Sequence, residues 1–192
     1  MRAAEVDMRF SHAVLAALPV FLLGAAPVRG EPPPAPGTAA VWTTREIKFV
    51  YQGFTTQYSC DSLQEKVKGY LLKLGARSDL EVRGYGCTQP TAPDPFAGVS
   101  IRMSVLQPAA GSAAPSVAAH WKEVDLVGDR DPARAAAECE LIDQFGRKVL
   151  PLFTTRHIER GSPCEYRNVI PGGTQLKAEV LIADGGAPVA SR

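Results

Sequence analysis

Four cysteines carry the most definite chemistry in this chain of 192 residues, namely Cys60, Cys87, Cys139 and Cys164. An even number of cysteines in an exported protein is typical of disulfide bonds, because the compartments outside the cytoplasm are oxidising. A redox-active pair normally keeps its two thiols close together in the sequence, and these cysteines are far apart. The sequence permits three pairings, and the segments between the cysteines favour one of them.

The segment after the first cysteine has the pattern of a helix followed by a strand. In residues 61–75 (DSLQEKVKGYLLKLG) apolar side chains recur at helical spacing. Ser62 and Glu65 have the spacing of a capping box, and Gly75 is placed to end the helix. Residues 80–86 then alternate as a strand.

The lengths of these two elements predict which cysteines meet. A helix of about 14 residues and a strand of about seven residues each cover roughly 21–23 Å. The chain therefore returns to its starting level, and we expect Cys60 to bond to Cys87. Cys139 is also followed by a helical pattern and a strand, which predicts a second bond to Cys164. Free thiols or a crosswise pairing are the alternative.

Both halves of the chain have the pattern β-α-β-β, which predicts a two-layer α+β fold with two helices on one face of a mainly antiparallel six-stranded sheet. The second helix should begin at Asp131 and Pro132, an N-cap followed by proline, and should end or kink at Pro151. An Arg-Gly-x-x-Cys motif ends the second strand of each half and indicates a duplicated module stapled by two disulfides, although so short a match also arises by chance. The predicted strands are 46–54, 80–86, 99–106, 120–127, 155–161 and 176–182.

The N-terminus has the pattern of a secretory signal peptide over residues 1–30. A basic residue precedes an apolar run at 13–26, which is shorter than the roughly 20 residues of a spanning helix and is interrupted by Pro19. We therefore expect cleavage before Glu31, a periplasmic or secreted location and no permanent membrane span, with an uncleaved anchor as the alternative. A composition rich in Ala, Pro and Arg favours a bacterial source and hence the periplasm. Translation from Met8 would give a cleaner positive region than translation from the first methionine.

One domain is expected after the signal peptide. Residues 31–41 should form a Pro-rich leader, 42–183 a single α+β domain with possible halves 42–107 and 117–183, and 184–192 a flexible tail. The formal net charge of +1 argues against nucleic acid as a partner, because neither sign of charge dominates.

Histidine is scarce, and His120 and His157 are the two that lie outside the signal peptide. They lack the HxH or HExxH spacing of a metal site, and the thiols are assigned to disulfides, so we expect no metal and no cofactor. The sequence also lacks a GxSxG nucleophile motif and a phosphate-binding glycine loop. A small hydrolase or transferase with either histidine as general base is therefore an alternative interpretation.

Arginines and tyrosines near the cysteines form the predicted binding site. If the two halves pack about a two-fold axis, we expect these residues to cluster at the bridged end of the sheet. Arginine makes bidentate hydrogen bonds to carboxylates and phosphates, and tyrosine adds a rigid wall, a composition also found in protein-binding patches. Routine surface ion pairs, with the tyrosines packed on the disulfides, are the structural alternative. The residues are Arg83, Tyr85, Arg160, Tyr166 and Arg167.

These features favour an exported, non-enzymatic binding or interaction module, with a protein or a small anionic ligand as its partner. The enzymatic alternative requires a histidine beside a carboxylate inside a cleft, whereas a binding module requires an exposed patch. A structural component of the cell envelope is a third interpretation, which self-association would distinguish.

Overall fold

The computed structural model describes residues 37–53, 56–112, 114–161, 164 and 170–185. The predicted signal peptide lies outside these residues, as do most of the predicted leader and most of the predicted tail. Within them, two α-helices pack on a six-stranded antiparallel sheet, and the predicted fold class is confirmed. No helix in the described ranges has the length and apolar character needed to cross a membrane.

Each half of the described chain has the predicted order β-α-β-β. The first half contains β1 (Thr38–Val50), α1 (Cys60–Lys73), β2 (Glu81–Tyr85) and β3 (Gly98–Pro108). The second half contains β4 (Val117–Val127), α2 (Pro132–Lys148), β5 (Thr155–Arg160) and β6 (Thr174–Ala183). A 3-10 turn at Leu150–Leu152 follows α2 and includes Pro151, as expected of a residue that cannot continue a helix.

Local hydrogen bonds set the two ends of α1. The N-cap is Ser59, whose Oγ accepts a hydrogen bond from the N–H of Ser62 at 3.2 Å. The predicted capping box from Ser62 to Glu65 is therefore wrong, because the helix begins about one turn earlier, at the cysteine itself. At the other end Gly75 has a φ of 81°, a conformation that favours glycine, and the predicted stop is confirmed.

Both predicted disulfides form. The Cα atoms are 6.1 Å apart in Cys60–Cys87 and 5.5 Å apart in Cys139–Cys164. Each bond ties a helix to the chain that follows the second strand of the same half. Cys60 is the first residue of α1, whereas α2 begins about two turns before Cys139, in agreement with the start predicted from the Asp-Pro pair.

The sheet has the strand order β2-β3-β1-β4-β6-β5. Each half therefore contributes three neighbouring strands, and the order reads the same from either edge once equivalent strands are matched. The halves join where β1 and β4 pair antiparallel, at residues 38–40 and 117–119. This arrangement is the one expected of a repeated β-α-β-β unit with an internal two-fold relation.

The alternation of side chains along the strands gives the sheet two different faces. Val99, Ile101 and Met103 of β3 belong to the main core, which also contains buried apolar residues of both helices. Their neighbours Arg102 and Ser104 point to the opposite side. We call this opposite side, which no described helix covers, the open face.

On the helix side, α2 reaches across to the first half. The ring of Phe145 meets that of Phe49 edge to face, with centroids 6.2 Å apart. The Gln144 side chain accepts from the Gln52 N–H at 3.0 Å and donates to its carbonyl oxygen at 2.6 Å. The two halves therefore share one core as well as one sheet.

Some residues assigned to the predicted leader and tail belong to the sheet. β1 begins at Thr38, inside the predicted leader, because Ala40 pairs with both β3 and β4 and is fully buried where the halves join. At the other end the N–H of Asp184 donates to the Ala118 carbonyl oxygen at 2.9 Å, so the first residue of the predicted tail is attached to the sheet. The residues at this join are mostly alanines, and the sequence therefore lacks the strong apolar pattern that would have predicted strands there.

Removal of either disulfide is expected to cost about 3 to 4 kcal/mol of folding free energy, because each closes a loop of similar length, with sequence separations of 27 and 25. Cys60→Ser/Cys87→Ser and Cys139→Ser/Cys164→Ser should show similar losses in urea denaturation, with somewhat larger m-values than wild type, because the unfolded chain is less compact without the cross-link. A loss below about 1 kcal/mol in either variant would contradict a structural role for that bond.

Candidate functional site

The structure separates the predicted arginine and tyrosine cluster. Arg83 and Tyr85 lie on β2 and Arg160 ends β5, and these two strands are the opposite edges of the sheet. Five strand spacings of about 4.8 Å place them roughly 24 Å apart. The prediction that Arg83 and Arg160 lie in one cluster is therefore wrong. The halves join through their first strands, and this places their second strands at the two edges of the sheet. Tyr166 and Arg167 lie outside the described residues.

The separated residues occupy two different environments. Arg83 pairs with Glu81 at 3.1 Å, and Tyr85 is 41% exposed. Arg160 lines a cleft of about 270 Å³ beside the second disulfide, together with Arg147. Asp143 lies 2.5 Å from Arg147 and 4.0 Å from Arg160, so a carboxylate of the protein already occupies the position between these two cations.

Both histidines lie beside carboxylates, but at the surface. His120 Nδ1 contacts Asp184, and its side chain is 51% exposed. His157 Nδ1 lies 3.4 Å from Glu179 Oε2, and its side chain is 71% exposed. His157 also has a φ of 50°, within the irregularity that interrupts the β5 ladder. Neither histidine meets the requirement of a general base enclosed in a cleft.

Among the residues that the structure describes, the most deeply buried charged group is Glu138 of α2, which is 5% exposed. Both of its carboxylate oxygens are occupied by α1: the Tyr70 hydroxyl donates to Oε1, and the Lys66 ammonium donates to Oε2. Breaking such a buried pair is costly because it leaves an uncompensated charge. Glu138 therefore fixes the two helices against each other, and each of its oxygens already accepts a hydrogen bond from the protein.

Two tyrosines pack beside this buried carboxylate. Tyr51 and Tyr58 meet edge to face with ring centroids 4.9 Å apart, and the Tyr51 hydroxyl donates to Glu140 at 3.0 Å. Burial and the negative charge of Glu138 raise the pKa of Tyr58 above its ordinary value of 10.0. Burial and the carboxylate of Glu140 likewise raise the pKa of Tyr51. Both phenols are therefore held neutral by their surroundings.

The open face carries a pair of equivalent tryptophans. Trp42 of β1 lies opposite Leu106, and Trp121 of β4 lies opposite Leu181, each in the strand register. An arginine stacks on each indole: the Arg77 guanidinium is 5.6 Å from the Trp42 ring centroid, and that of Arg156 is 4.3 Å from the Trp121 centroid. The positive guanidinium is attracted to the electron-rich face of the indole.

Carboxylates hold both stacked arginines in place. Asp79 accepts two hydrogen bonds from Arg77, at 2.7 and 2.9 Å, and Glu179 accepts one from Arg156. These bonds keep the pKa of each carboxyl below its ordinary range. The open face therefore has a Trp–Arg–carboxylate set in each half.

The sequence contains a second repeated motif, which marks these sets and lies apart from the cysteines. Ala-Ala-x-Trp occurs at 39–42 and again at 118–121. Each tryptophan precedes the first cysteine of its half by the same number of residues, and precedes its stacked arginine by the same number. The register of β1 and β4 pairs Ala39 with Ala118, which places the two motifs about the internal two-fold. The equal spacing extends from the tryptophan to the arginine of each half, over more of the chain than the Arg-Gly-x-x-Cys motif, and it supports the repeated unit.

A shallow groove runs along the open face of the first half, which we call the first-half groove. It consists of two neighbouring cavities of about 210 and 190 Å³ that share Glu81 and Arg102. Its charges are paired within the protein, since Arg102 lies 3.4 Å from Glu46 while Arg77 and Arg83 have the partners described above. The polar residues that line it are Thr44, Glu46, Arg77, Asp79, Glu81, Arg83, Ser100, Arg102 and Ser104.

No group of three or more potential metal ligands occurs among the described residues. The groove presents hydrogen-bonding side chains, with Trp42 and Tyr85 beyond its two ends. Arg83 and Tyr85 of the predicted site border it, whereas Trp42, Arg77 and Arg102 were not predicted.

Alkaline pH should destabilise the protein through Tyr58. In the unfolded chain this phenol ionises near 10.0, whereas in the folded protein its pKa is raised, so stability is retained below pH 10 and lost as the pH rises above it. Tyr58→Phe should reduce this loss between about pH 9.5 and 11, as measured by urea denaturation at each pH. The exposed Tyr85→Phe serves as the control for loss of a hydroxyl. Equal alkaline slopes in wild type and Tyr58→Phe would contradict this account.

No protein-family model, no curated protein and no solved structure matches this chain. Function is therefore inferred from the open face with its first-half groove, from the cleft beside the second disulfide and from the buried cluster around Glu138. Among these, the first-half groove combines exposed hydrogen-bonding groups with aromatic rings at its ends. In the cleft beside the second disulfide, Asp143 lies between the two arginines. In the buried cluster, side chains of α1 donate hydrogen bonds to both oxygens of Glu138.

Proposed function

We propose that this protein is an exported, non-enzymatic binding module that holds its ligand or partner on the open face of the sheet. The observation that carries the proposal is the first-half groove, in which charged and hydroxyl side chains lie between Trp42 and Tyr85. Placed polar groups orient a ligand in its site, and the groove supplies arginines, carboxylates and hydroxyls for this purpose. The two disulfides are compatible with an extracellular or periplasmic protein.

The helix side offers less to a partner. The apolar faces of α1 and α2 are used in the core, and the buried carboxylate between them is paired with Lys66 and accepts a hydrogen bond from Tyr70. In contrast, Arg83 and Arg102 have side chains that are 76% and 66% exposed. Accessible arginines at a partly aromatic surface are frequent in binding sites.

A structural component that polymerises through its sheet is a weaker interpretation. Both edge strands are short and carry features that hinder strand addition. On β2 the Gly84 N–H is occupied by the Gln64 side chain, which accepts at 3.0 Å. On β5 a register shift between Arg156 and Glu159 interrupts the ladder. These features support a module that binds through a face rather than through an edge.

The histidine-dependent hydrolase or transferase is also weaker, because the two candidate bases are exposed at separate positions. A general base works best where water is restricted and its proton-accepting atom is within hydrogen-bond reach of the substrate. His120 and His157 are both more than half exposed. Substitution of Arg83 and Arg102 distinguishes the two interpretations, since a histidine-based site would not depend on these arginines.

The proposal predicts that Arg83→Ala/Arg102→Ala loses most of the material that the immobilised wild-type protein captures from a cell-envelope extract. The reason is that these arginines supply hydrogen-bond donors to the groove. Captured proteins and saccharides would be quantified by mass spectrometry after equal loading. A circular dichroism spectrum identical to wild type would verify folding.

The matched control is Lys68→Ala/Lys73→Ala, which removes the same charge from exposed positions on α1. It should capture the same material as wild type. Equal capture by the arginine variant and wild type, or an equal loss in the lysine control, would contradict a binding site on the open face.

A further inference from the structure

We propose that the first-half groove binds a neutral, polyhydroxylated ligand, with the chemistry of an uncharged glycan chain. The proposal rests on the proposed function of the open face and specifies the class of ligand. It is carried by three properties of the groove: its internally paired charges, its aromatic ends and its hydroxyl-bearing floor.

Paired charges make the groove a poor site for an ionic ligand. Arg77, Arg83 and Arg102 each have a carboxylate of the protein as a partner, at distances between 2.7 and 3.4 Å. An anionic ligand would have to compete with these carboxylates, and a cationic ligand would have to compete with the arginines. The residues that line the two cavities carry three positive and three negative charges, and this balance favours a neutral ligand.

The same pairs are well suited to hydroxyl groups. A guanidinium has five N–H donors in a planar fork, and the bonds to Asp79 use two of those on Arg77. A carboxylate has about four acceptor positions, of which a single arginine fills one or two. Neighbouring hydroxyls of a sugar ring donate and accept at once, so they can use the donors and acceptors that the ion pairs leave free.

Hydroxyl side chains follow the floor of the groove along the strands. Ser100 and Ser104 of β3 and Thr44 of β1 lie on the open face by strand alternation and line the two cavities. From Ser100 to Ser104 the strand covers about 14 Å, at about 3.4 Å per residue. An extended chain of several sugar rings fits this length better than one small molecule does.

An aromatic ring lies at each end of the groove. Trp42 lies two residues before Thr44 on the same face of β1, and Tyr85 lies two residues after Arg83 on the same face of β2. Tyr85 is 41% exposed, and Lys48 lies over its ring at 4.5 Å from the centroid. The C–H groups on one side of a pyranose ring can take the place of the flexible lysine on this aromatic surface.

An extended peptide is the main competing occupant, and the structure favours it less. A peptide is bound most strongly when its backbone adds to a sheet edge, and the adjoining edge at β2 has its Gly84 N–H occupied by Gln64. A peptide on the face itself would depend on its charged side chains, for which the groove has no excess charge. The experiment below includes a peptide so that this outcome is measured.

The test is isothermal titration of the purified protein with three neutral oligosaccharides, namely cellohexaose, maltohexaose and chitohexaose, and with a zwitterionic Lys/Glu peptide of similar length. At least one oligosaccharide should bind, and Arg102→Ala should weaken its binding by about tenfold, because that arginine lines both cavities. Binding should change little with ionic strength, since no net charge is neutralised. The matched control is Lys177→Ala, which removes a cation paired with Glu123 at 2.9 Å on the open face of the other half, and it should bind as wild type does.

Three results would overturn the glycan proposal: binding of none of the three oligosaccharides, equal affinity in wild type and Arg102→Ala, or an equal loss in Lys177→Ala. Salt-sensitive binding of the peptide that Arg102→Ala abolishes, without oligosaccharide binding, would also overturn it while leaving the open face as a binding site. The proposed function itself would fail separately, if the Arg83→Ala/Arg102→Ala variant captured the same envelope material as wild type.

Discussion

The constraint on which the fold depends is the covalent attachment of each helix to the strand segment of its own half. Cys60–Cys87 and Cys139–Cys164 close the helix and strand of each half into a loop. Both helices then pack on the same side of the sheet, where Leu63 and Phe145 enter one core. The opposite side keeps its charged, hydroxyl and aromatic side chains, and the candidate site lies there for this reason.

The internal two-fold explains why the two halves share a sheet without forming a shared arginine site. Ala39 pairs with Ala118 at the join, and small residues allow the two first strands to meet. The order β2-β3-β1-β4-β6-β5 then sends β2 and β5 to opposite edges. Equivalent residues near the join, such as Trp42 and Trp121, stay on one central surface, whereas equivalent residues on the second strands are far apart.

The sequence predicted the parts of the fold that depend on local spacing. Helix and strand lengths were sufficient to pair the cysteines correctly, because both elements have fixed rises per residue. The prediction that Arg83 and Arg160 cluster failed, because the pairing of β1 with β4 is a long-range contact between small residues with little apolar signal. The Trp42–Arg77 stack was missed for a similar reason, since its members belong to different elements and are recognisable only when the halves are compared.

The central functional claim is that a partner covers the open face and leaves the helices exposed. Arginine-specific labelling of the protein, with and without cell-envelope extract and read by mass spectrometry, tests this directly. The account predicts that extract protects Arg83 and Arg102 from modification while Arg147 of α2, whose side chain is 59% exposed, reacts as before. Protection of Arg147 with unchanged labelling of Arg83 and Arg102 would contradict it.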